Sequence, residues 1–299
     1  MDRLHLMTVF VAVAEEESFA GGGRRLSMSP PAVTRAVAAL EARLGVKLLN
    51  RTTRYVRVTE AGQRYLDDAR RIIGEADEAD EAAAGINAAP RGHLAVTAPV
   101  MFGRLFVLPG IVDYLRRYPD MEVSAMFLDR VVNLLEEGMD AGVRLGELPD
   151  SSMKAIGVGH VRRVVCAAPA YLEQFGTPGA PADLARHAIV ASVSASNSVD
   201  WKFEHKGAPL TARVKPRLSV TSNDGAIEAL RQGFGISQLM SYQVAPLIET
   251  GELRALLVDY EAPRVPIHVV HREGRYASAK LRSFVDLMVT RLRAEKSLR

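Results

Sequence analysis

"SFAGGGRRLSMSPPAVTRAVAALEARLG", residues 18–45, decides how the whole chain is read. Three consecutive glycines ahead of two arginines look at first like a phosphate cradle. A P-loop, however, ends in Gly-Lys-Ser/Thr, and here Arg24, Arg25 and Leu26 follow the glycines. A dinucleotide fingerprint needs a further glycine at position 26, which is leucine. The segment before the glycines is not a strand either. Leu6, Val9, Phe10 and Val13 recur at helical spacing.

The glycines instead fit inside a short second helix. Ser18 is its expected N-cap, and Phe19, Gly22, Gly23 and Leu26 fall on one face, with two of the three glycines pointing inward. Each glycine costs roughly 1 kcal/mol against alanine, so packing must hold this helix. After the turn "SMS", Ser29 is placed to cap a third helix, with Pro30 and Pro31 in the first turn, where a missing N–H costs least. Val33, Val37, Leu40 and Leu44 form its buried stripe, and Gly45 closes it. Thr34, Arg35 and Ala38 are left on the outer face. Two helices joined this way make a helix-turn-helix. In "VKLLNRTTRYVRVTEAG", apolar residues flank the polar turn Asn50–Arg54, which predicts a basic-tipped hairpin, or wing.

Charge placement agrees. Residues 1–59 hold nine Lys/Arg against five Asp/Glu, whereas residues 60–90 hold three against eight. A basic head suits a polyanion, although the net charge of the chain is only +3.

The stretch from Phe10 to Leu66, above all "RRLSMSPPAVTRAVAALEARLGVKLLNRTTR" with the later "VTEAG", resembles the DNA-binding head of the LysR-type transcriptional regulators. It departs at Ala20-Gly21-Gly22-Gly23, where members of that family usually carry Thr/Ser-Ala-Ala-Ala. The expected head covers 1–59. Its DNA contacts are expected from Ser29, Pro30, Pro31, Thr34 and Arg35 on the recognition helix and from Arg51, Thr52, Thr53 and Arg54 on the wing.

Residues 60–88 read as one linker helix. Thr59 can cap it, and Tyr65, Ala69, Ile72, Ala76, Ala79, Ala83 and Ile86 follow alternating steps of four and three. About 42 Å of helix results. The heptad seam predicts dimerisation, and the resemblance implies the same, extended to a dimer of dimers. "AAPRGH" then marks a hinge.

From residue 89 onward strands and helices alternate, which predicts α/β layers. Helices are expected at 102–118, at "VVNLLEEG" (131–138), at 223–235 and at 279–295. The resemblance implies two α/β subdomains around a cleft, like periplasmic solute-binding proteins: subdomain I at 89–164 and 266–299, subdomain II at 165–265. The fold class is therefore an N-terminal all-α winged helix-turn-helix followed by a two-subdomain, periplasmic-binding-protein-like α/β domain. Ligands of open α/β sheets meet strand C-terminal ends. Thr97, Ala98, Pro99 and Val100, then Thr221, Ser222 and Asn223, are the expected effector-binding residues, with Arg144 and Gln238 at other strand ends and Arg130 as a further weak candidate.

Nothing in the sequence indicates an enzyme. HExxH and GxSxG motifs are absent, and His268 and His271 fall on opposite faces of an expected strand. The one cysteine, Cys166, lies in the apolar "VVCAAP" and reads as buried and inert. No metal and no cofactor is expected. The expected partners are double-stranded operator DNA in an inverted repeat, a small effector of carboxylate or aromatic type, further copies of the chain, and RNA polymerase. The N-terminal stretch lacks a signal-peptide pattern, so a cytoplasmic protein is expected. The rival reading is a solute-binding protein without DNA activity.

Overall fold

The computed structural model describes residues 2–298 apart from 52–55, 85–88, 131, 135, 149–152, 193–199 and 273–277; the side chains of Arg51, Glu75 and residues 77–84 also lie outside the description. Two compact units emerge, one built on Met1–Ala88 and one on Ala89–Gly274 with Lys280–Arg299.

The first unit contains α1 (Arg3–Glu15), α2 (Phe19–Arg25), α3 (Pro30–Leu44), β1 (Leu49–Arg51), β2 (Val56–Val58) and α4 (Glu60–Ala84). Leu6, Val9, Phe10 and Val13 of α1 pack on Val33, Ala36, Val37 and Leu40 of α3, with Leu48, Leu49 and Leu66 closing the core. Burying each such side chain stabilises the fold by about 1.5–3 kcal/mol, enough to hold a glycine-rich α2 in place. Ser18 caps α2 as its sequence predicts, its hydroxyl accepting from Gly21 N at 3.1 Å. All three glycines of α2 are buried, not two. A Cβ on Gly22 would sit 2.8 Å from Val13 Cγ2 and one on Gly21 2.8 Å from Glu16 Cβ, so α1 and its turn approach closer than a side chain allows. Gly62 plays the same part for α4: a Cβ there would fall 2.0 Å from the Leu48 carbonyl oxygen. Thr59 caps α4 by accepting from Gly62 N at 2.9 Å.

The second unit opens with β3 (Gly92–Ala98) and α5 (Val100–Phe102), which passes through a π turn, Gly103–Val107, into α6 (Leu108–Arg117). Pro109, lacking an N–H, stands just past that irregularity. Then come β4 (Met121–Phe127), β5 (Ala141–Leu145), β6 (Met153–Val161), β7 (Arg163–Ala167), α7 (Pro169–Phe175), β8 (Ile189–Ser192), β9 (Asp200–His205), β10 (Ala208–Arg213) and β11 (Pro216–Val220). The last elements are α8 (Asn223–Arg231), β12 (Ser237–Met240), α9 (Ser241–Glu249), β13 (Arg254–Leu256), β14 (Val265–Arg272) and α10 (Ala279–Ala294).

These strands form one five-stranded sheet, in the order β4-β3-β5-β14-β6, and a second set around β7. β3 runs parallel to β4 and β5, while β14 is antiparallel to β5 and β6. In the second set β7 lies between β12 and β13, β8 pairs with β11, and Ile189 bridges to Ile236. Trp201, on the β9–β10 hairpin, fills this core with Val165, Tyr171 and Ile236.

The chain leaves the five-stranded sheet at Arg162 and rejoins it at Val265. The two crossings are tied together: Arg162 Nη1 lies 2.8 Å from Glu261, and the Arg162 backbone bonds to Ser241 in both directions.

The helix expected at 131–138 is not there. The described residues of this stretch make single turns, with Glu137 N donating to Asn133 O and Met139 N to Leu134 O. Gly138 at φ 65° ends the run, and Val132 and Leu134 drop into the sheet face to pack on Val270. Burial of those two side chains outweighs a short helix with weak nucleation. Strands β6 and β13 have no counterpart in the sequence reading. β6 is an edge strand with Gly157 and Gly159 and a mostly open face, so it lacks an apolar alternation.

Candidate DNA interface and effector cleft

The outer, N-terminal end of α3 is built to meet something. Ser29, Pro30, Pro31 and Arg35 are exposed and Thr34 is half-buried. The Ser29 hydroxyl makes no cap bond; its backbone carbonyl alone accepts, from Ala32 N and Val33 N. Arg35 has no ion pair among the described residues. Two other cations of the head are neutralised at home. Arg25 pairs with Glu15 at 2.5 Å, and Lys47 pairs with Glu41 at 2.6 Å. Thr52, Thr53 and Arg54 lie outside the described residues, as does the Arg51 side chain.

Two acidic side chains hold this surface in place, and the sequence singled out neither. Glu41, buried on α3, accepts from Leu48 N at 3.0 Å and Leu49 N at 3.2 Å, which fixes the start of the hairpin against α3. Burial alone would raise its pKa, but the Lys47 ammonium and the two N–H groups outweigh that and hold it below the usual carboxylate range. Glu15 receives Arg25 from α2 and Arg70 from α4, the latter at 2.8 Å. Its pKa is likewise lowered, burial being outweighed by the two guanidinium groups. A half-buried carboxylate between arginines on separate helices is a contact that only the fold creates.

The linker stripe is only partly available to a second chain. Ala69 is fully buried within one chain, and Tyr65 packs its ring on Phe10 at 5.7 Å. Ala69 is thus spent on the head's own core, which corrects the expectation for that residue, while Tyr65 is half-buried. Ile72 and Ala76 are half-buried; the side chains of Ala79 and Ala83, and all of Ile86, lie outside the described residues.

In the second unit the expected effector residues meet across the two halves. Asp129, just after β4, accepts from Val100 N at 3.0 Å with one carboxylate oxygen and from Asn223 Nδ2 at 3.4 Å with the other. Arg104 reaches Asp224 at 3.4 Å. Tyr242 of α9 stands edge-on to Phe102 and Phe106 at 5.4 and 5.7 Å. Burial, with the carboxylates of Asp129 and Asp224 nearby, pushes the Tyr242 hydroxyl above the ordinary phenol range. Val100 and Asn223 are therefore brought together, but the Val100 N–H is not vacant as the sequence reading had it. Asp129 carries the link, and its only sequence signal is a carboxylate directly behind a strand.

The remaining candidates behave differently. Ser222 caps α8 by accepting from Gly225 N at 3.1 Å, the ordinary capping role. Thr97 and Ala98 are buried in β3, and the Thr97 hydroxyl has no hydrogen-bond partner among the described residues. Pro99 is half-buried and Thr221 exposed. Arg144 donates to the carbonyls of Val143 and Val132, so its guanidinium serves the loop, and desolvation lowers its pKa. Arg130 is taken by Glu137 at 2.5 Å. Gln238 sits in β12, paired with Val165, and is half-buried. A groove of about 560 Å³ lined by Pro169, Glu173, Glu228, Arg231 and Glu252 contains none of these residues.

Cys166 is fully buried, and burial pushes its thiol up to about 12, far from a working nucleophile. Among the described residues no His/Cys/Asp/Glu group is arranged to hold a metal, and no helix is long and apolar enough to cross a membrane.

Residues 4–63 match the bacterial regulatory helix-turn-helix proteins of the lysR family, and residues 87–293 match the LysR substrate binding domain. The chain belongs to the LysR family. An uncharacterized HTH-type transcriptional regulator of Haemophilus influenzae is 31% identical, over 94% of this chain and 98% of its own length. The regulator CrgA of Neisseria meningitidis serogroup C is also 31% identical, over 96% of each chain. The solved structure of CrgA covers 96% of this chain and 98% of its own, with a TM-score of 0.60 and 30% identity. Full-length AphB of Vibrio cholerae, at 22% identity and a TM-score of 0.60 over 97% and 99% of the two chains, shares the fold. This LysR-type chain is a DNA-binding transcriptional regulator with an effector-binding domain, not an enzyme. The head excludes the rival reading as a bare solute-binding protein.

Proposed function

We propose that this regulator reads an inverted-repeat operator with the N-terminal end of α3 and answers to a small effector in the cleft between the two halves of its second unit. One observation carries the first part: Arg35 stands exposed, without an ion pair among the described residues, at the outer end of a helix whose other face is locked into the core. A guanidinium so placed suits a bidentate guanine contact in the major groove. Ser29, Pro30, Pro31 and Thr34 share that end, and Arg51, Thr52, Thr53 and Arg54 serve the DNA backbone or minor groove. The functional parts are the head at 1–59, the linker helix at 60–88 and the effector domain at 89–299, divided at the Arg162 and Val265 crossings. The linker pairs two heads into a homodimer, with a dimer of dimers as the larger assembly.

The effector is of carboxylate or aromatic type, met at the strand ends by polar groups such as exposed Thr221 and half-buried Asn223. Its binding changes the geometry of the paired heads and so the presentation of the promoter to RNA polymerase, in the cytoplasm. The test is a DNase footprint on the DNA upstream of the regulator's own gene at stated salt, run with wild type and Arg35→Ala. The wild type protects an inverted repeat. Arg35→Ala loses about 1–3 kcal/mol of discrimination against random DNA. Unaltered specificity in the variant removes Arg35 from the reading surface.

A further inference from the structure

We propose that Glu15 is a charge mask: it holds Arg25 of α2 away from the phosphate backbone, and so limits how tightly the head grips DNA of any sequence. Glu15 touches no DNA in this scheme. It acts through Arg25, as a positioning residue. The inference needs only the DNA-binding activity, not the sequence that α3 reads.

In a helix-turn-helix the second helix enters the major groove while the first crosses the backbone. Here α2 is that first helix, and its last turn carries Arg24 and Arg25. Only Leu26, Ser27 and Met28 separate Arg25 from Ser29, the N-cap of α3. Both arginines are exposed, yet their charges are disposed differently. Arg24 has no ion pair among the described residues. Arg25 Nη1 lies 2.5 Å from one carboxylate oxygen of Glu15. The other oxygen is taken by Arg70 of α4, at 2.9 Å from Nε and 2.8 Å from Nη2. Arg70 thus fixes the carboxylate, which needs no further ordering to keep Arg25 when DNA arrives. Burial would raise the Glu15 pKa, but the two guanidinium groups outweigh it, so the mask stays charged at neutral pH. Each cation that reaches a phosphate displaces a condensed counterion, so a masked arginine shows as a missing contribution to the salt dependence of binding. The sign is diagnostic. A head merely loosened by loss of Glu15 binds DNA more weakly, whereas an unmasked head binds it more tightly.

The experiment measures binding of the full chain to a duplex of random sequence across roughly 50–200 mM salt. The proteins are wild type, Glu15→Gln, Arg25→Gln, Arg24→Gln and the double variant Glu15→Gln/Arg25→Gln. Glu15→Gln tightens binding at low salt and steepens the slope of log affinity against log salt by about 0.9 per bound head, an extra fall of about 3.5-fold over that range. Arg25→Gln alone leaves the slope at the wild-type value, because its cation is already withheld. The double variant returns to that value, which assigns the gain to Arg25 and not to Arg70, whose guanidinium keeps Asp67 at 3.9 Å. Arg24→Gln flattens the slope by a similar amount and so verifies that α2 faces the backbone. Far-UV circular dichroism checks that each variant is folded. Should Glu15→Gln fail to fold, Arg25→Gln still decides, since it keeps the Glu15–Arg70 pair. A flattened slope in Arg25→Gln means that Arg25 already meets phosphate and overturns the mask, as does an unchanged slope in folded Glu15→Gln. An unchanged slope in Arg24→Gln overturns the placement of α2 on the backbone. The random duplex contains no operator, so an absent operator footprint in wild type counts against the reading by α3 alone.

Discussion

Glu41 and Glu15 show how much of the head's architecture rests on single side chains. Glu41→Ala leaves the Leu48 and Leu49 N–H groups without their acceptor in a buried place. An unmade buried hydrogen bond costs about 1–3 kcal/mol, so the head's unfolding midpoint in urea, read by far-UV circular dichroism, should fall. Trp201 fluorescence, located in the other unit, is the internal control and should shift little. The same two carboxylates set an acid limit. Their folded pKa values lie below the unfolded value of 4.5, so their stabilisation is present above that pH and is lost as pH falls through the folded values. Acidification from pH 5 should therefore unfold the head with a slope that Glu15→Gln reduces. An identical slope in that variant would remove Glu15 from the account. At this scale the exposed end of α3 was legible in the sequence, because Ser29, the prolines and Arg35 are neighbours in the chain. Glu15 and Glu41 were not, since their partners, Arg70 and Leu48–Leu49, meet them only after the helices pack.

Among the elements, periodicity told the truth about which face is apolar but not about what covers it. The four-three steps along α4 were visible, yet they are divided between two tasks: Tyr65 and Ala69 serve the core of one head, and Ile72 and Ala76 follow beyond it. Substitutions separate the two. Ala69→Leu overpacks a fully buried site and should destabilise the head by about 1–3 kcal/mol. Ile72→Lys puts a charge on the remaining stripe and should shift the protein from dimer to monomer in sedimentation velocity, with the head's circular dichroism preserved. A dimer as tight as wild type would move the interface off this stripe. The failed helix at 131–138 carries the opposite lesson. Eight residues with a suitable stripe cannot outweigh the pull of a sheet face on Val132 and Leu134. β6 escaped notice because an edge strand with glycines need not alternate.

For the whole molecule, the family resemblance supplied what local patterns could not. The two crossings at Arg162 and Val265 depend on pairings far apart in sequence, such as β14 returning between β5 and β6; the link of residues 100 and 223 through Asp129 came from neither resemblance nor pattern and appears only in the fold. The consequence that matters for function is symmetry. In the proposed dimer, a dyad places the two α3 helices in major grooves on one side of the duplex, so half-site spacing is fixed by the helical repeat of about 10.5 base pairs. Inserting five base pairs at the centre of the protected repeat turns one half-site to the opposite side of the DNA. The footprint should then shrink to one half-site, or vanish at salt where a single head binds too weakly. Inserting a full turn restores the facing but stretches the assembly, so recovery measures how far the linker helices can yield. Full protection after the five-base-pair insertion would mean that each head binds alone, and that pairing through α4 does not set the spacing.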